Sequence, residues 1–414
     1  MIRIAIKTLG CKTNQAESAI LLDQFPADEC AVVDWDSEAD IYIVNTCTVT
    51  NRTDYKSRYH IRQALARKLV NPQIKVIVTG CFAQRSKNEI EGMGDVDYII
   101  DNQNKLNLAS ILDSEDYRFA DIMDAKEFYF KPSTNMLGHT RAFQKIQDGC
   151  DFYCSYCAVP YARGHARSAT LKQVIEQANI FADSGFKEIV LGGVNLGLYR
   201  DGKFDLGDVV SNMASINGLE LIRISSIEPQ LLTEQLIKRL SSIGKLCPHF
   251  HIPLQSGSDE VLSRMGRRYN TSLIIDLVDR LNESFPSLAI GFDVITGFPG
   301  ETEANHLETY SLLSSLPLAY LHVFSYSKRK GTPADKMPNQ VPKDTKHARM
   351  VQLTALSDKL QQSYRQRLID SQTVVRGVVE LHTENGCEFL SDHYLRMEID
   401  KQIPVGELAS TIIS

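Results

Sequence analysis

A chain of 414 residues with 43% hydrophobic and 23% charged side chains is too long for one ordinary core and asks for two or three domains. Its formal net charge of −6 excludes a generally cationic nucleic-acid binder, so any RNA contact must come from local patches. No apolar run approaches about eighteen residues and Met1 to Ile6 is too short and alternating for a signal peptide, so the cytoplasm, with no membrane partner, is the expected setting.

From Ile2 to about Asp124, short apolar runs at 2–6, 41–45, 75–79 and 98–100 alternate with helical stretches, which predicts an amino-terminal parallel α/β domain over residues 1–124. Ligand sites in such sheets lie beyond the carboxyl ends of the strands. Cys11, Cys47 and Cys81 each follow one of these runs, at separations of 36 and 34 residues that suit successive βα units better than a local metal loop. One site built from three loops is expected, against the alternative of three unrelated buried thiols. The nine cysteines, at positions 11, 30, 47, 81, 150, 154, 157, 247 and 387, form an odd set that argues against a disulfide framework and for reduced thiols available to metal.

Two basic patches stand out. Arg52, Lys56, Arg58, Arg62, Arg67 and Lys68 oppose only Asp54 across a predicted helix. Lys328, Arg329, Lys330, Lys336, Lys343, Lys346 and Arg349 crowd a Pro-containing loop and the helix after it. Each is either an RNA contact or a solvated face.

Over residues 135–368, six strand-like runs (143–147, 188–192, 219–225, 249–254, 289–295 and 318–324) alternate with amphipathic helices, which predicts a partial (β/α)6 barrel with its chemistry at the carboxyl ends of the strands. After the first run comes Cys150-x3-Cys154-x2-Cys157 with no fourth cysteine nearby. Three thiolates can hold a four-iron cluster and leave one iron open to a small chelating ligand. The alternatives are a disulfide or a zinc site with His165 as fourth ligand, at a spacing typical of neither a zinc finger nor a ribbon.

Other candidates end later strands. Glycine at Gly192 and Gly193 lets backbone groups approach a ligand, or simply makes a turn. Glu228 can hold ribose hydroxyls or pair with a cofactor charge, and Gln255 and Ser256 supply neutral hydrogen-bonding groups. Arg264, Arg267 and Arg268 are expected on the next helix, facing a carboxylate, RNA phosphates or solvent. No Gly-x4-Gly-Lys-Ser/Thr segment points to a nucleotide triphosphate. Residues 372–414 read as a small β module from the runs at 374–380 and 394–399, with Arg376, Arg396 and Lys401 facing seven acids.

The central cysteine spacing resembles the radical S-adenosylmethionine superfamily. In that superfamily the open iron chelates S-adenosylmethionine, whose cleavage gives a 5′-deoxyadenosyl radical. The segments Thr8 to Ser18, Val44 to Thr50 and Val78 to Gln84 resemble the amino-terminal domain of the methylthiotransferases, so Cys11, Cys47 and Cys81 are implied to hold a second 4Fe-4S cluster that carries or donates sulfur. The resemblance further implies Tyr156 beside the cofactor adenine, the Gly192-Gly193 turn at the cofactor amino group, and a second S-adenosylmethionine as methyl source. Residues 372–414 look like a shortened TRAM-like RNA-binding barrel, though their acidity departs from such a role. The segments Gly192 to Tyr199, Ser225 to Pro229 and Val323 to Arg329 most resemble the subgroup acting on N6-threonylcarbamoyladenosine at position 37 of tRNA. The implied rivals act on N6-isopentenyladenosine in tRNA or on a ribosomal-protein aspartate, and the alternative of another class is a non-catalytic iron-sulfur RNA-binding protein. The electron donor, the sulfur source and the oligomeric state are not readable from the sequence.

Overall fold

The structure, a computed structural model, describes residues 1–114, 117–134 and 136–413; the expected boundary residue Asn135 and the terminal Ser414 lie outside the described residues. Strands β1 (Ile2–Thr8), β2 (Cys30–Val33), β3 (Ile41–Thr46), β4 (Lys75–Gly80) and β5 (Tyr98–Ile99) form one parallel sheet in the order β2-β1-β3-β4-β5. β3 is buried at every position and β4 at all but its first, which is why both read as near-continuous apolar runs. β2 is not anticipated by the pattern: an edge strand of four residues leaves too little alternation to read. The helix Lys12–Leu22 follows β1, and the helix Asn51–Val70 follows β3, started by a capping box between Thr50 and Thr53.

The central region begins with β6 (Ala142–Lys145). Two short strands, β7 (Gln147–Asp148) and β8 (Arg167–Ser168), then pair antiparallel and close the base of the cysteine loop. The remaining strands β9 (Glu188–Gly192), β10 (Leu221–Ile224), β11 (His249–Gln255), β12 (Ala289–Thr296) and β13 (Tyr320–Ser325) complete six parallel barrel strands with β6. They form two half-sheets, β10-β9-β6 and β11-β12-β13. Between β10 and β11 the ladder thins to a single bridge, Ile222 with Leu246, and one bond from Ile227 N to the His251 carbonyl at 3.3 Å. The expected mixed α/β architecture with an incomplete six-stranded barrel is the one adopted.

Outward side chains of the barrel strands, Ile222, Phe250, Ile252, Phe292 and Val294 among them, join the apolar faces of the surrounding helices in one core. By strand alternation the other face looks into the barrel and carries Arg223, His251, Asp293 and His322. Helix Lys12–Leu22 also packs on β6, so the amino-terminal domain sits against the barrel's first edge. A 28-residue helix, Lys343–Asp370, covers β13 and leads to the last unit. That unit has four antiparallel strands where two were expected: β14 (Val374–His382), β15 (Cys387–Ser391), β16 (Arg396–Ile399) and β17 (Leu408–Ile412), in the order β16-β15-β14-β17. Buried Arg223 anchors it by donating to the Ser391 and Asp392 carbonyls at 2.9 and 3.1 Å.

Candidate functional site

β1, β3 and β4 are neighbours in aligned register, Thr8 opposite Asn45 and Thr46 opposite Gly80, so the loops carrying Cys11, Cys47 and Cys81 emerge side by side. Gly10 has φ of 99°, and a Cβ there would lie 2.7 Å from the Cys47 sulfur; only glycine lets these two loops approach so closely. Polar side chains of the same motifs tie the loops together. Asn14 donates to the Leu9 and Thr46 carbonyls at 2.6 and 3.0 Å, Asn45 donates to the Asn14 carbonyl at 3.0 Å, and Thr46 donates to the Thr79 carbonyl at 2.5 Å. Burial, reinforced by neighbouring Cys81 and Cys11, pushes the Cys47 thiol up to about 12.

The central loop begins at Gly149, whose φ of 70° places its α-carbon against the His165 carbonyl, where any Cβ would meet the oxygen at 1.9 Å. Cys150 N donates to the Gly164 carbonyl at 3.0 Å and Cys157 N to the Cys154 carbonyl at 2.9 Å. Burial pushes Cys150 up to about 11 and Cys157 up to about 12, with the nearby Cys154 adding to both. A metal group bound by these thiols would displace their protons. All nine cysteines are free. Among the described residues, the one set of three or more metal-ligand types with donor atoms all within 4.8 Å is His251, Asp293 and His322. Neither cysteine trio is therefore drawn in to single-ion spacing, as zinc with Zn–S bonds of about 2.3 Å requires. His165 is exposed and bonded to Asp151 at 2.7 Å. The donor sets fit a polynuclear iron-sulfur group.

A buried ion network joins the two loops. Arg163 donates to Glu17 at 2.9 and 3.0 Å, to Asp148 at 3.0 Å and to Asn14 at 2.6 Å. Lys105 reaches Glu17 at 2.5 Å, and Lys145 reaches Glu17 at 2.8 Å and Asp148 at 3.0 Å. Burial alone would raise both carboxyls, but the guanidinium and ammonium groups hold Glu17 and Asp148 well below the usual carboxylate range. Asp148 also accepts from Gly149 N at 3.0 Å, so the network ends on the backbone that starts the central cysteine loop.

The radical SAM superfamily model matches residues 145–313, and that of uncharacterized protein family UPF0004 matches residues 3–101. The threonylcarbamoyladenosine tRNA methylthiotransferase MtaB of Bacillus subtilis is 39% identical over 375 residues, 88% of this chain and 82% of that protein. The protein of the same name from Aquifex aeolicus is 35% identical with both chains fully covered. A tRNA-2-methylthio-N(6)-dimethylallyladenosine synthase of Desulfotalea psychrophila is 32% identical over 86% of this chain and 83% of its own. The chain belongs to the radical S-adenosylmethionine methylthiotransferases. Membership brings a 4Fe-4S cluster and S-adenosylmethionine as cofactors. Among solved structures, the radical S-adenosylmethionine methyltransferase TsrM from Kitasatospora setae superposes with a TM-score of 0.59 at 12% identity, over 80% of this chain and 76% of that one, a likeness of fold.

In this methylthiotransferase the candidate cofactor residues gather around a group that the sequence leaves as one of three arginines. Arg267 lies in the loop after the helix Asp259–Arg264, not on a helix face, and its side chain is only 2% exposed. It donates to the Cys154 sulfur at 3.2 Å, to the Tyr156 hydroxyl at 3.5 Å, to the Pro253 carbonyl at 2.9 Å and to the Glu228 carboxylate. Burial raises the Glu228 carboxyl while Arg267 pulls it back. Arg264 instead donates to the Gly300 carbonyl, and Arg268 to that of Asp151.

Gln255 has φ of 70° after a register shift in β11, and its amide makes no hydrogen bond among the described residues. Ser256 is turned to Thr309 and Ser258 at 3.3 and 3.2 Å, which gives its hydroxyl a structural use. Gly192 is in ordinary surroundings, whereas a Cβ on Gly193 would meet Gln147 at 3.0 Å. Gln147 accepts from Val194 N and Asn195 N and donates to the Asp148 and Gly149 carbonyls, linking this turn to the cysteine loop. Asn195 does not stand out in the sequence, yet both its amide atoms are buried without a partner, as a ligand-facing group would be. On the inner barrel face, Asp293 accepts from His251 at 2.8 Å and pairs with His322 at 3.4 Å. Burial would raise this carboxyl, but the two imidazoles hold it below its ordinary value.

The basic patches divide. Arg58, Arg67 and Lys68 are paired with Glu89, Asp36 and Asp97, and Arg349 with Glu301. Arg329 donates to Asp54 at 2.7 Å and Asn51 N donates to Ser327 at 2.9 Å, so the two patches meet. Arg52, Lys56 and Lys330 are exposed at that junction, as is Lys328, which pairs with Asp335 at 3.5 Å. In the last unit Arg376 pairs with Asp392 and Arg396 with Glu380 and Glu388, which leaves few free cations there.

Proposed function

We propose that this enzyme methylthiolates N6-threonylcarbamoyladenosine at position 37 of tRNA, giving the 2-methylthio derivative, with two 4Fe-4S clusters and S-adenosylmethionine. The observation that carries the reading is the pair of cysteine trios joined through Glu17, Arg163 and Asp148, in a chain that matches methylthiotransferases named for this nucleoside along its whole length. Cys150, Cys154 and Cys157 hold one cluster, and Cys11, Cys47 and Cys81 the other. When bound, these groups supply the electron that cleaves S-adenosylmethionine and the sulfur that joins C2, an unreactive aromatic C–H that needs a radical route.

The chain's own residues prepare that chemistry. Arg267 places a fixed positive charge on the Cys154 sulfur and orients Glu228, which faces the cofactor with Tyr156, Gly192, Gly193 and Gln255. Asp293, kept ionised by His251 and His322, holds an acceptor for a proton at its Oδ1 inside the barrel. Exposed Arg52, Lys56, Lys328 and Lys330 attract the RNA backbone despite the acidic whole. Nucleoside analysis of RNA from a deletion strain tests the reading: 2-methylthio-N6-threonylcarbamoyladenosine should vanish, and its persistence at the wild-type level contradicts the proposal.

A further inference from the structure

We infer that Lys12 is the receptor for the carboxylate of the N6-threonylcarbamoyl group, so that the side chain directly after the first cysteine selects a negatively charged substrate. The inference rests on the function proposed above and names what recognises its substrate. Lys12 is the first residue of the helix that packs on β6, and the charged groups acting on its half-buried ammonium are Arg223, Arg141 and Glu188. Each of those arginines has its own carboxylate: Arg223 donates to Glu188 at 2.7 Å and Arg141 to Glu380 at 2.6 Å. Lys12 makes no hydrogen bond or ion pair among the described residues. Lys105 and Lys145, in the same interface, are both bonded to carboxylates, Lys105 to Glu17 and Lys145 to Glu17 and Asp148.

Of the three cations gathered at this end of the barrel, Lys12 alone has no carboxylate bonded to it, and it sits beside a cysteine of the amino-terminal trio. A half-buried charge with no bonded counterion is partly desolvated, and that cost is offset when an anion docks. Buried Glu188 Oε2 and His249 Nδ1 also lack partners in this region. The threonylcarbamoyl group carries one carboxylate, whereas an isopentenyl group carries no charge at all. An ammonium–carboxylate hydrogen bond is the contact that separates the two substrates, because a site built for the anion is left with an unpaired charge by the neutral chain.

The test uses the holoenzyme and an anticodon stem-loop RNA bearing either the free threonylcarbamoyl acid or its methyl ester. Esterification should lower wild-type kcat/KM about ten- to a hundredfold, Lys12→Met should lose a similar factor on the acid, and the ester should then cost that variant nothing further. Lys12→Arg should recover part of the loss. A wild-type enzyme indifferent to the ester overturns the inference without any variant, which covers the case of a Lys12→Met protein that fails to load iron. A loaded Lys12→Met enzyme that keeps the full ester penalty also overturns it, as does a rise in KM for S-adenosylmethionine alone, which would assign Lys12 to the cofactor carboxylate. If the wild-type enzyme modifies an isopentenyladenosine RNA and not the acid, the proposed function fails first, and that result is distinct.

Discussion

Arg267 concentrates the polar contacts of the candidate site, since one guanidinium touches the Cys154 sulfur, the Tyr156 hydroxyl and the Glu228 carboxylate. Replacing it with Met leaves Glu228 buried without its cation, a change that costs about 3–5 kcal/mol when one partner of an enclosed pair is removed. The expected outcome is a lower thermal midpoint together with slowed formation of 5′-deoxyadenosine; an unaltered midpoint contradicts the enclosed pairing. Cys154→Ala should abolish 5′-deoxyadenosine while the amino-terminal trio keeps its iron, and a variant that still cleaves the cofactor refutes the assignment of that loop. The cysteines are legible in the sequence because spacing and strand position alone single them out. Arg267 is not, because its partners lie 113 and 39 residues away and arginines after a helix look solvated in one dimension.

Among the elements, the helix Lys12–Leu22, the short helix Val159–Arg163 and β6 matter most, because each contributes a charge to the buried network: Glu17, Arg163 and Lys145. Glu17 and Asp148 have folded-state values below their ordinary ones, so they bind fewer protons folded than unfolded between those values. Their contribution to stability is complete above the ordinary carboxyl range of about 4 and is lost as pH falls below it. Thermal midpoints measured from pH 7 downward should therefore drop below about pH 4. Glu17→Gln should be destabilised by about 3–5 kcal/mol at neutral pH and show a shallower acid slope; an unchanged slope contradicts the linkage. The parallel strands are readable from their apolar runs, and with them the side-by-side placement of three cysteine loops. The network is not, because Glu17 and Lys105 sit in polar stretches and nothing local marks them as fully buried. The four-residue β2 and the short strands of the last unit carry too few alternations to be read.

For the whole molecule, two patches nearly 280 residues apart in sequence become one basic surface through Arg329 and Asp54. Reversing Arg52, Lys56, Lys328 or Lys330 to Glu should weaken tRNA binding without regard to the modified base and flatten the salt dependence by about one unit of slope for each phosphate no longer neutralised. Equal salt slopes for wild type and variants contradict that surface. The last unit is fixed to the barrel by Arg223, and its Arg376 and Arg396 are paired with its own acids. The central claim is that two trios of cysteines hold two separate clusters, and anaerobic iron and sulfide analysis of the intact chain tests it most directly. About eight iron and eight sulfide per chain are expected, falling to about four of each when Cys11, Cys47 and Cys81 are replaced by Ala. About four iron in the unaltered protein, unchanged by those replacements, contradicts it.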